Sequence, residues 1–377
     1  MTLPSTIQSA MTRYRAEIET TLHRAVQRAS VVAEQSTLSN DLRPFYGQIA
    51  YHFGWVDTNF LPLPGQSGKL LRPTLLLLAY EATGADNTNA CEDSGEKEYL
   101  RRALPAAAAI EMTHNFTLIH DDIEDSDTQR HHRPTLWNIW GVPHAINTGD
   151  GLFALSRLTL WDVLNEGVES DVAVRLGAVL DKACLVLSEG QYLDISFEQQ
   201  QDISVAMYVD MIGRKTGTLM GCATEMGALL GTHDQKTIER LRRFGYAIGI
   251  AFQVRDDLLG VWASTEELGK TPAGDIYRRK KSLPILHALE HADERDRQYL
   301  CQVYTQQPPV SDEQVEAVLA IFERTETKAY CRAFLADQCR LAYEALDSVP
   351  RSGSTIAARA IENMEMLVRF VEEASKQ

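Results

Sequence analysis

Apolar residues recur at steps of three and four along most of this chain, and this spacing constrains the fold more than any other feature. Tyr14, Ile18 and Leu22 follow it within residues 5–36, which predicts an amphipathic N-terminal helix inside residues 1–40. Later segments are rich in Ala, Leu and Met, and we find no run of alternating β-branched residues of the kind that marks strands. The sequence therefore predicts an all-α fold with ten or more helices around one central cavity.

Turn-forming and polar residues separate the predicted helices. Prolines and glycines in residues 37–68 predict a loop-rich connection, and the polar residues 83–98 predict a surface loop. Between them, LRPTLLLLAYEA is more typical of a buried helix than of a strand. No composition break divides the chain, so we expect residues 1–377 to form a single domain. Further helical segments are predicted near residues 101–122, 149–196, 204–231, 237–262, 281–303, 312–346 and 353–375.

The charge balance and the cysteine spacing narrow the possible functions. The 377 residues carry a formal net charge of −15, and a nucleic-acid partner is not expected because binding a phosphate backbone needs clustered Lys and Arg. Six cysteines without a CxxC pair predict neither a disulfide framework nor a zinc site. The chain has no signal-like N-terminus and no apolar stretch of about 18 residues, which predicts a soluble, cytoplasmic protein without a membrane span.

An acidic run, HDDIEDSD, stands at the end of one predicted apolar helix. Asp121 and Asp125 are four residues apart, so their carboxylates share one helix face about one turn apart, with Asp122 beside them. Mg²⁺ is the natural ligand because it prefers carboxylate oxygens and keeps sites for water and substrate phosphates. Taken alone, the same run is also typical of a solvated acidic helix end.

A second acidic pair favours the metal interpretation. Asp256 and Asp257 follow another apolar helical run, FGYAIGIAFQVR. Two carboxylate clusters on two buried helices can face each other across a cavity and hold several Mg²⁺ ions around one diphosphate.

Basic residues next to Gly, Pro and acidic motifs supply candidate ligands for phosphate groups. Each of them taken singly is also typical of a solvated surface. They are Lys69, Arg72, Arg130, Arg133, Lys215, Lys270, Lys280 and Lys281.

Six motifs, in the same order and spacing, resemble those of the trans-isoprenyl diphosphate synthases, the polyprenyl synthetase family that includes farnesyl and geranylgeranyl diphosphate synthases. The resemblance covers nearly the whole chain. The motifs are GK-x-x-RP from Lys69 to Pro73, DDIED with Arg130, GQ-x-x-D with Gln191 and Asp194, KTG from Lys215, FQ-x-x-DD from Phe252 to Asp257, and GK with D-x-x-x-x-K at Gly269, Lys270, Asp275 and Lys280.

This resemblance implies an isoprenoid synthase-type helical bundle and a homodimer. It implies an enzyme that condenses isopentenyl diphosphate with a C5 to C15 allylic diphosphate, using three Mg²⁺ ions. Metal binding is assigned to Asp121, Asp122, Asp125, Asp256 and Asp257. The allylic diphosphate and its reacting carbon are assigned to Arg130, Lys215, Thr216, Gln253, Lys270 and Lys280. Isopentenyl diphosphate is assigned to Lys69, Arg72, His114 and His131.

Several positions depart from the family pattern or set the product. Gly260 stands where a third aspartate is usual, and His131 stands where an arginine is usual. Leu70 replaces a frequent basic residue beside Lys69, which we treat as minor. The family sets product length by bulk just before the first aspartates, so the large Phe116 beside the small Thr117 favours C15 to C20 products, C20 first.

Two other functions remain open from the sequence. The departures at Gly260 and His131 would fit a non-catalytic subunit that regulates a partner synthase. A class I terpene cyclase shares the DDxxD motif, but we find no second metal motif of the N/D-D-x-x-S-x-x-x-E type.

Overall fold

The computed structural model describes residues 5–36, 42–63, 68–84, 98–200, 202–263, 273–306, 309–351 and 353–376. Lys270, most of the predicted surface loop and both ends of the 1–40 segment lie outside these ranges. The described part is helical almost throughout, so the predicted all-α fold of more than ten helices is confirmed.

The described part of the chain contains sixteen α-helices. Two 3₁₀ turns, Glu98–Arg102 and Asp162–Leu164, and one π-helical turn, Gly213–Gly217, lie between them. The α-helices are α1 Ser5–Ser36, α2 Arg43–His52, α3 Leu71–Ala82, α4 Leu104–Glu124, α5 Leu136–Trp140, α6 Val142–Trp161, α7 Ser170–Gln199, α8 Val205–Ile212, α9 Thr218–Gly231, α10 Gln235–Trp262, α11 Gly274–Tyr277, α12 Leu283–His291, α13 Glu294–Thr305, α14 Asp312–Arg324, α15 Thr327–Asp347 and α16 Thr355–Lys376.

Side-chain caps fix where several helices begin. The Ser204 side chain accepts a hydrogen bond from the N–H of Met207 at the start of α8, and the Asp234 carboxylate caps α10 in the same way. At α14, Ser311 and Gln314 form a capping box in which each side chain bonds the other residue's backbone N–H. These local signals satisfy N–H groups that have no partner inside the helix.

Some predicted boundaries were wrong. The loop-rich connection in residues 37–68 contains α2, because Pro44 stands in a first helical turn, where a missing N–H costs nothing. Segments 149–196, 281–303 and 312–346 are each split into two helices. The breaks occur where Gly167 and Glu326 take left-handed φ angles of 76° and 53° and where Asp293 caps a new helix.

The core surrounds α10, which packs against α9 and α15, while α4 packs against α6 and α3 against α9. Tyr14, Ile18 and Leu22 of α1 are fully buried, as their spacing predicted. Among the described helices, none is long and apolar enough to cross a lipid bilayer.

A small hairpin follows α4 and was not predicted. Strands β1 Gln129–Arg130 and β2 Arg133–Pro134 pair antiparallel, with Arg130 opposite Arg133. They are the only strand pair in the part of the chain that the structure describes. Segments this short carry no alternating pattern that could reveal them in the sequence.

Candidate active site

A cavity of about 410 Å³ lies beside the C-terminal half of α4, between α3, α7, the π turn and α9. One end carries the polar side chains Asp121, Gln191 and Lys215, and we call it the charged end. The part that we call the apolar end is lined by Phe116 and Leu187, about one turn before Asp121 and Gln191 on α4 and α7, and by Leu219, one turn after Lys215. Its volume is typical of small-molecule sites. This division suits a ligand with an anionic head and a hydrocarbon tail, and the predicted central cavity is present.

Asp121, in the last turn of α4, faces two cations. Its Oδ1 lies 3.2 Å from the Lys215 Nζ, and its Oδ2 lies 3.8 Å from an Nη of Arg130. Lys215 also pairs with Asp194 of α7 at 2.6 Å. The first carboxylate cluster is therefore positioned by residues of three separate predicted motifs.

The neighbouring carboxyl groups of Asp122 and Asp125 have raised pKa values. Burial raises the pKa of Asp122 to about 6, although the Arg130 Nε lies 2.6 Å from its Oδ1. Burial and then the negative charge of Asp121 raise the pKa of Asp125 to about 6. A divalent cation between Asp121 and Asp125 would favour their charged forms and remove this repulsion.

The π turn presents Lys215 and Thr216 to the cavity. A π turn is wider than an α turn and is frequent at functional sites. Gly190 of α7 lets it approach closely, because a Cβ added at Gly190 would lie 2.5 Å from the backbone N of Lys215. The sequence predicted the two side chains as site residues, and only the fold explains how Lys215 reaches Asp121 and Thr216 reaches Gln253.

Asp257 is fully buried and has four protein partners. The Tyr208 hydroxyl donates to its Oδ2 at 2.5 Å, and the Leu283 N–H donates to the same oxygen at 3.3 Å. The Gln253 amide donates to its Oδ1 at 3.3 Å, and the Lys280 Nζ lies 3.5 Å away. Asp257 therefore orients Gln253 and Lys280. Its two carboxylate oxygens are largely occupied by protein donors, which leaves few lone pairs for direct metal binding.

Asp256 has the opposite environment. Its side chain is 64% exposed, and an Nη of Arg255 lies 3.7 Å from its Oδ1. Of the second acidic pair, Asp256 is thus the carboxylate that a metal ion can reach.

The two acidic clusters are connected by a short series of contacts. Lys215 pairs with Asp121, the adjacent Thr216 hydroxyl lies 3.5 Å from the Gln253 Oε1, and Gln253 donates to Asp257. These contacts connect two clusters that lie far apart in the sequence, and that they face each other across the cavity stays a prediction.

Gly260, where the family pattern has a third aspartate, lies against Asp275. A Cβ added at Gly260 would stand 2.3 Å from one Asp275 carboxylate oxygen and 2.5 Å from its Cγ. Asp275 is buried, and its Oδ1 accepts from Arg278 at 2.9 Å. In this chain, the space that a third aspartate would enter is filled by the Asp275 carboxylate.

A group of basic residues lies beside the first cluster. Burial and the positive charges of Arg72 and Arg130 hold the pKa of His114 well below its usual value, which keeps it neutral at pH 7. Burial raises the pKa of Glu111 in α4, and the charge of Arg72 opposes that shift. Lys69 is exposed and close enough to lower the pKa of His131. The four residues predicted to bind isopentenyl diphosphate thus influence one another electrostatically.

His131 and His132 form the two-residue turn of the hairpin, with φ of 51° and 61°. Such turns require positive φ at both central residues and usually contain Asn or Gly. Partial burial and the charges of Arg130 and Lys69 lower the pKa of His131. The histidine at the arginine position is therefore held in an uncommon backbone conformation, and its lowered pKa disfavours its charged form in the free protein.

Some candidate basic residues bind the protein itself. Arg133 donates to the carbonyls of Tyr51 and Val56 at 3.0 and 2.7 Å, which ties the hairpin to α2. Lys281 donates to carbonyls at the end of α7, including that of Phe197 at 2.9 Å. Lys270 lies outside the described residues, and its assignment stays a prediction.

Tyr208 and Glu111 contribute to the site but were not predicted. Glu111 lies three residues before His114 on the same helix, a spacing that could have suggested a shared face. Tyr208 is distant in sequence from its partner Asp257, so no local signal could have identified it.

Residues 54–322 match the family described as polyprenyl synthetase. The chain belongs to the polyprenyl synthetase family. It is 33% identical over 350 residues to the geranylgeranyl diphosphate synthase of Mycobacterium tuberculosis, covering 93% of this chain and 91% of that protein. It is 37% identical over 307 residues to a short chain isoprenyl diphosphate synthase of Methanothermobacter thermautotrophicus, covering 81% and 86%. The crystal structure of polyprenyl synthetase from Streptomyces coelicolor matches with a TM-score of 0.79 at 34% identity, over 97% of this chain and 99% of that one.

Membership confirms three predictions for this polyprenyl synthetase. The family predicted from six motifs is confirmed. The predicted isoprenoid synthase-type helical fold and the predicted prenyltransferase activity are confirmed as well. The roles of its individual side chains remain predictions that rest on the geometry above.

Proposed function

We propose that this polyprenyl synthetase condenses isopentenyl diphosphate with an allylic diphosphate to give a trans-prenyl diphosphate five carbons longer. The observation that carries the proposal is the cavity with one charged and one apolar end, where Lys215, Thr216 and Gln253 connect two carboxylate clusters. The charged end takes the allylic diphosphate and the apolar end takes its hydrocarbon tail.

Each of the two diphosphates is bound by its own group of basic residues. Arg130, Lys215, Lys280 and Lys270 surround the allylic diphosphate in this proposal. Lys69, Arg72, His114 and His131 hold isopentenyl diphosphate. Support comes from the mutual electrostatic influence within the second group, from the ion pair of Lys215 with Asp121 at the cavity and from that of Lys280 with the buried Asp257.

Asp121, Asp125 and Asp256 are the side chains that would hold Mg²⁺. The described residues gather no cluster of three or more His, Cys, Asp or Glu side chains around one point. Mg²⁺ needs no such cluster, because it commonly binds one or two carboxylates and completes its shell with water and substrate phosphates. When bound, Mg²⁺ neutralises negative charge on the leaving diphosphate, and we propose three ions.

The chain's own groups supply the rest of the chemistry. Lys215 and Arg130 balance charge on the leaving diphosphate as the allylic carbon–oxygen bond breaks. The Thr216 hydroxyl and the Gln253 Oε1 offer oxygen dipoles to the allylic cation, while the apolar end excludes water. The double bond of isopentenyl diphosphate then attacks that cation, and the proton that it loses passes to the departing diphosphate.

We propose geranylgeranyl diphosphate, C20, as the main product and farnesyl diphosphate, C15, as the shorter alternative. Phe116 lines the cavity five residues before Asp121, about 7.5 Å along the helix axis. Thr117, the next residue toward Asp121, has a small side chain and leaves space in the cavity on that side of Phe116. The name of the relative from M. tuberculosis agrees with a C20 product.

We also propose that the protein is a homodimer. Large apolar side chains are exposed along α6 and α7, two helices that pack together. Exposed apolar surface of this kind marks interaction sites. The most exposed of these side chains are Leu158 at 65%, Val174 at 64%, Leu185 at 63% and Tyr192 at 72%.

Incubation with Mg²⁺, labelled isopentenyl diphosphate and each of the C5, C10 and C15 allylic primers tests the function. We expect elongation to C20 in samples with Mg²⁺, none with EDTA, and none with Asp121→Ala. No elongation by the wild type with any primer would instead support a regulatory subunit. Release of a hydrocarbon and diphosphate from a primer alone would support a cyclase.

A further inference from the structure

Phe116 does not close the apolar end of the cavity by itself. Its ring packs edge-on against Phe153 of α6, with ring centroids 5.0 Å apart and an interplanar angle of 74°. The guanidinium of Arg157, one turn further along α6, lies 4.6 Å from the centroid of the same Phe153 ring. A layer of Phe153 and Arg157 therefore lies beyond the Phe116 side chain.

Arg157 reaches from α6 to both walls of the cavity. One Nη lies 3.4 Å from the Thr113 hydroxyl of α4, and the other donates to the Cys184 Sγ of α7 at 2.9 Å. Its Nε pairs with the Asp181 carboxylate, also on α7, at 2.6 Å. The Arg157 side chain is 16% exposed, whereas that of Asp181 is 65% exposed, so the guanidinium is mostly buried and its carboxylate partner lies at the surface.

Helix periodicity places the bridge one turn beyond the cavity lining. Thr117 and Ser188 line the cavity on α4 and α7. Thr113 and Cys184 stand four residues before them on the same faces. Thr113 is eight residues before Asp121, which puts Arg157 at a depth of about 12 Å along α4, below the Phe116 level at about 7.5 Å.

We propose that Arg157, together with Phe153, is a second floor of the cavity and a product-length determinant of this polyprenyl synthetase. The inference rests on the proposed function and adds to it a limit beyond Phe116. Phe116 excludes a longer tail only by its volume. Arg157 also opposes the entry of a longer tail through its charge. A hydrocarbon tail in its place would separate a mostly buried guanidinium from Asp181, Thr113 and Cys184.

Product sizing of single and double variants tests the second floor. With isopentenyl diphosphate in excess, Phe116→Ala opens the cavity only as far as Phe153, so its products lengthen by about one five-carbon unit. Arg157→Ala alone leaves product length unchanged, because Phe116 still stands above it. In Phe116→Ala/Arg157→Ala, we expect products at least two units longer than those of the wild type to rise by about tenfold or more over Phe116→Ala.

Substitutions at Arg157 separate the floor from a general loss of structure. Arg157→Lys keeps a cation near Asp181, so in the Phe116→Ala background it retains the shorter products. Arg157→Met keeps most of the side-chain volume and is used in place of Arg157→Ala if that variant is insoluble. We expect the flexible apolar Met side chain to let the tail pass. Arg175→Ala, which removes an α7 arginine bonded to Gln235, is the matched control and leaves product length unchanged in either background.

The outcomes are distinguishable from those that test the function. A wild type that elongates no primer contradicts the proposed activity itself. A wild type that makes C20, with product distributions that are the same for Phe116→Ala and for its double variants with Arg157→Ala or Arg157→Met, overturns the second floor alone. Equal lengthening by Arg175→Ala overturns it as well, since the effect would then not depend on position.

Discussion

Asp121 and Asp257 look alike in the sequence, each following an apolar helix, but their surroundings differ in the fold. The Asp121 side chain is 21% exposed at the cavity, whereas that of Asp257 is 1% exposed and surrounded by Tyr208, Gln253, Lys280 and the Leu283 N–H. Exposure leaves Asp121 accessible to a cation, whereas burial leaves the Asp257 carboxylate bonded to protein donors.

Asp121→Ala is therefore expected to lower kcat far more than Asp257→Asn does. We expect a loss of about 10² to 10³ in kcat for Asp121→Ala, comparable to the removal of a group that stabilises transition-state charge. Asp257→Asn retains the shape of the side chain, and we expect a smaller loss of kcat with a loss of about 1–3 kcal/mol in the free energy of unfolding. Steady-state kinetics over a Mg²⁺ titration and urea unfolding measure both, and equal kcat losses would contradict the assignment.

His131 is expected to couple isopentenyl diphosphate binding to pH. Partial burial, Arg130 and Lys69 lower its pKa in the free protein, and a bound diphosphate would raise it, so binding takes up a proton. The KM for isopentenyl diphosphate then rises by up to about tenfold per pH unit between these two pKa values and levels off above them. A pH series with His131→Arg as control subtracts the ionisation of the substrate, and parallel curves for the two proteins would refute the coupling.

At the scale of helices, α10 and α11 meet at Gly260 with no room for a side chain. A Cβ added there would lie 2.3 Å from an Asp275 oxygen, whereas a Cβ added at Gly274 finds its nearest atom at 3.8 Å. We expect Gly260→Ala to lower the free energy of unfolding by about 1–3 kcal/mol despite the better helix propensity of Ala. Gly260→Asp, which restores the family residue, is expected to destabilise further and not to raise activity.

Thermal unfolding and kcat of these two variants, with Gly274→Ala as the control, measure that effect. A Gly260→Asp variant that is as stable as the wild type and more active would show that the glycine is a defect in metal binding.

Helix α1 is attached to α3 by a buried polar group. Glu81 is fully buried and accepts hydrogen bonds from Arg13 at 2.8 and 3.0 Å, from Tyr14 at 2.7 Å and from Tyr99 at 2.7 Å. Removing the carboxylate leaves these donors without their acceptor in a largely buried site.

Glu81→Ala is expected to lower the free energy of unfolding by about 3 kcal/mol, at the lower end for broken buried pairs because Arg13 is 18% exposed. Glu344→Ala, which breaks an exposed pair with Arg340, is expected to cost less than about 0.5 kcal/mol. Urea unfolding compares them, and similar losses for the two variants would argue against a special role of Glu81.

At the scale of the whole molecule, the exposed apolar side chains of α6 and α7 predict self-association. We expect Leu158→Glu/Leu185→Glu to shift the protein from dimer to monomer, because two charges would be buried in an interface of the usual size of about 1,600 Å². Leu341→Glu changes an equally apolar side chain, 43% exposed on α15, and leaves the dimer intact. Light scattering during size-exclusion chromatography measures the mass, and a monomeric wild type would contradict the homodimer.

The sequence by itself determined the helical class, the family and most candidate site residues. Helix periodicity acts over a few residues, so Tyr14, Ile18 and Leu22 could be assigned to a buried face from their spacing alone. The aspartate, KTG and FQ-x-x-DD motifs could be identified because each is a local run of residues with its own chemistry.

The environment of each of these residues was decided by the tertiary structure alone. The tertiary structure buried Asp257 and exposed Asp256, placed Asp275 against Gly260, turned Lys281 to the end of α7, and packed Phe153, which carries Arg157 over its ring, against Phe116. The contacts of Lys281 with Phe197 and of Phe116 with Phe153 join residues far apart along the chain. Their environments depend on how the helices pack, which local spacing does not encode, and burial and proximity are what set the charge state and role of a side chain.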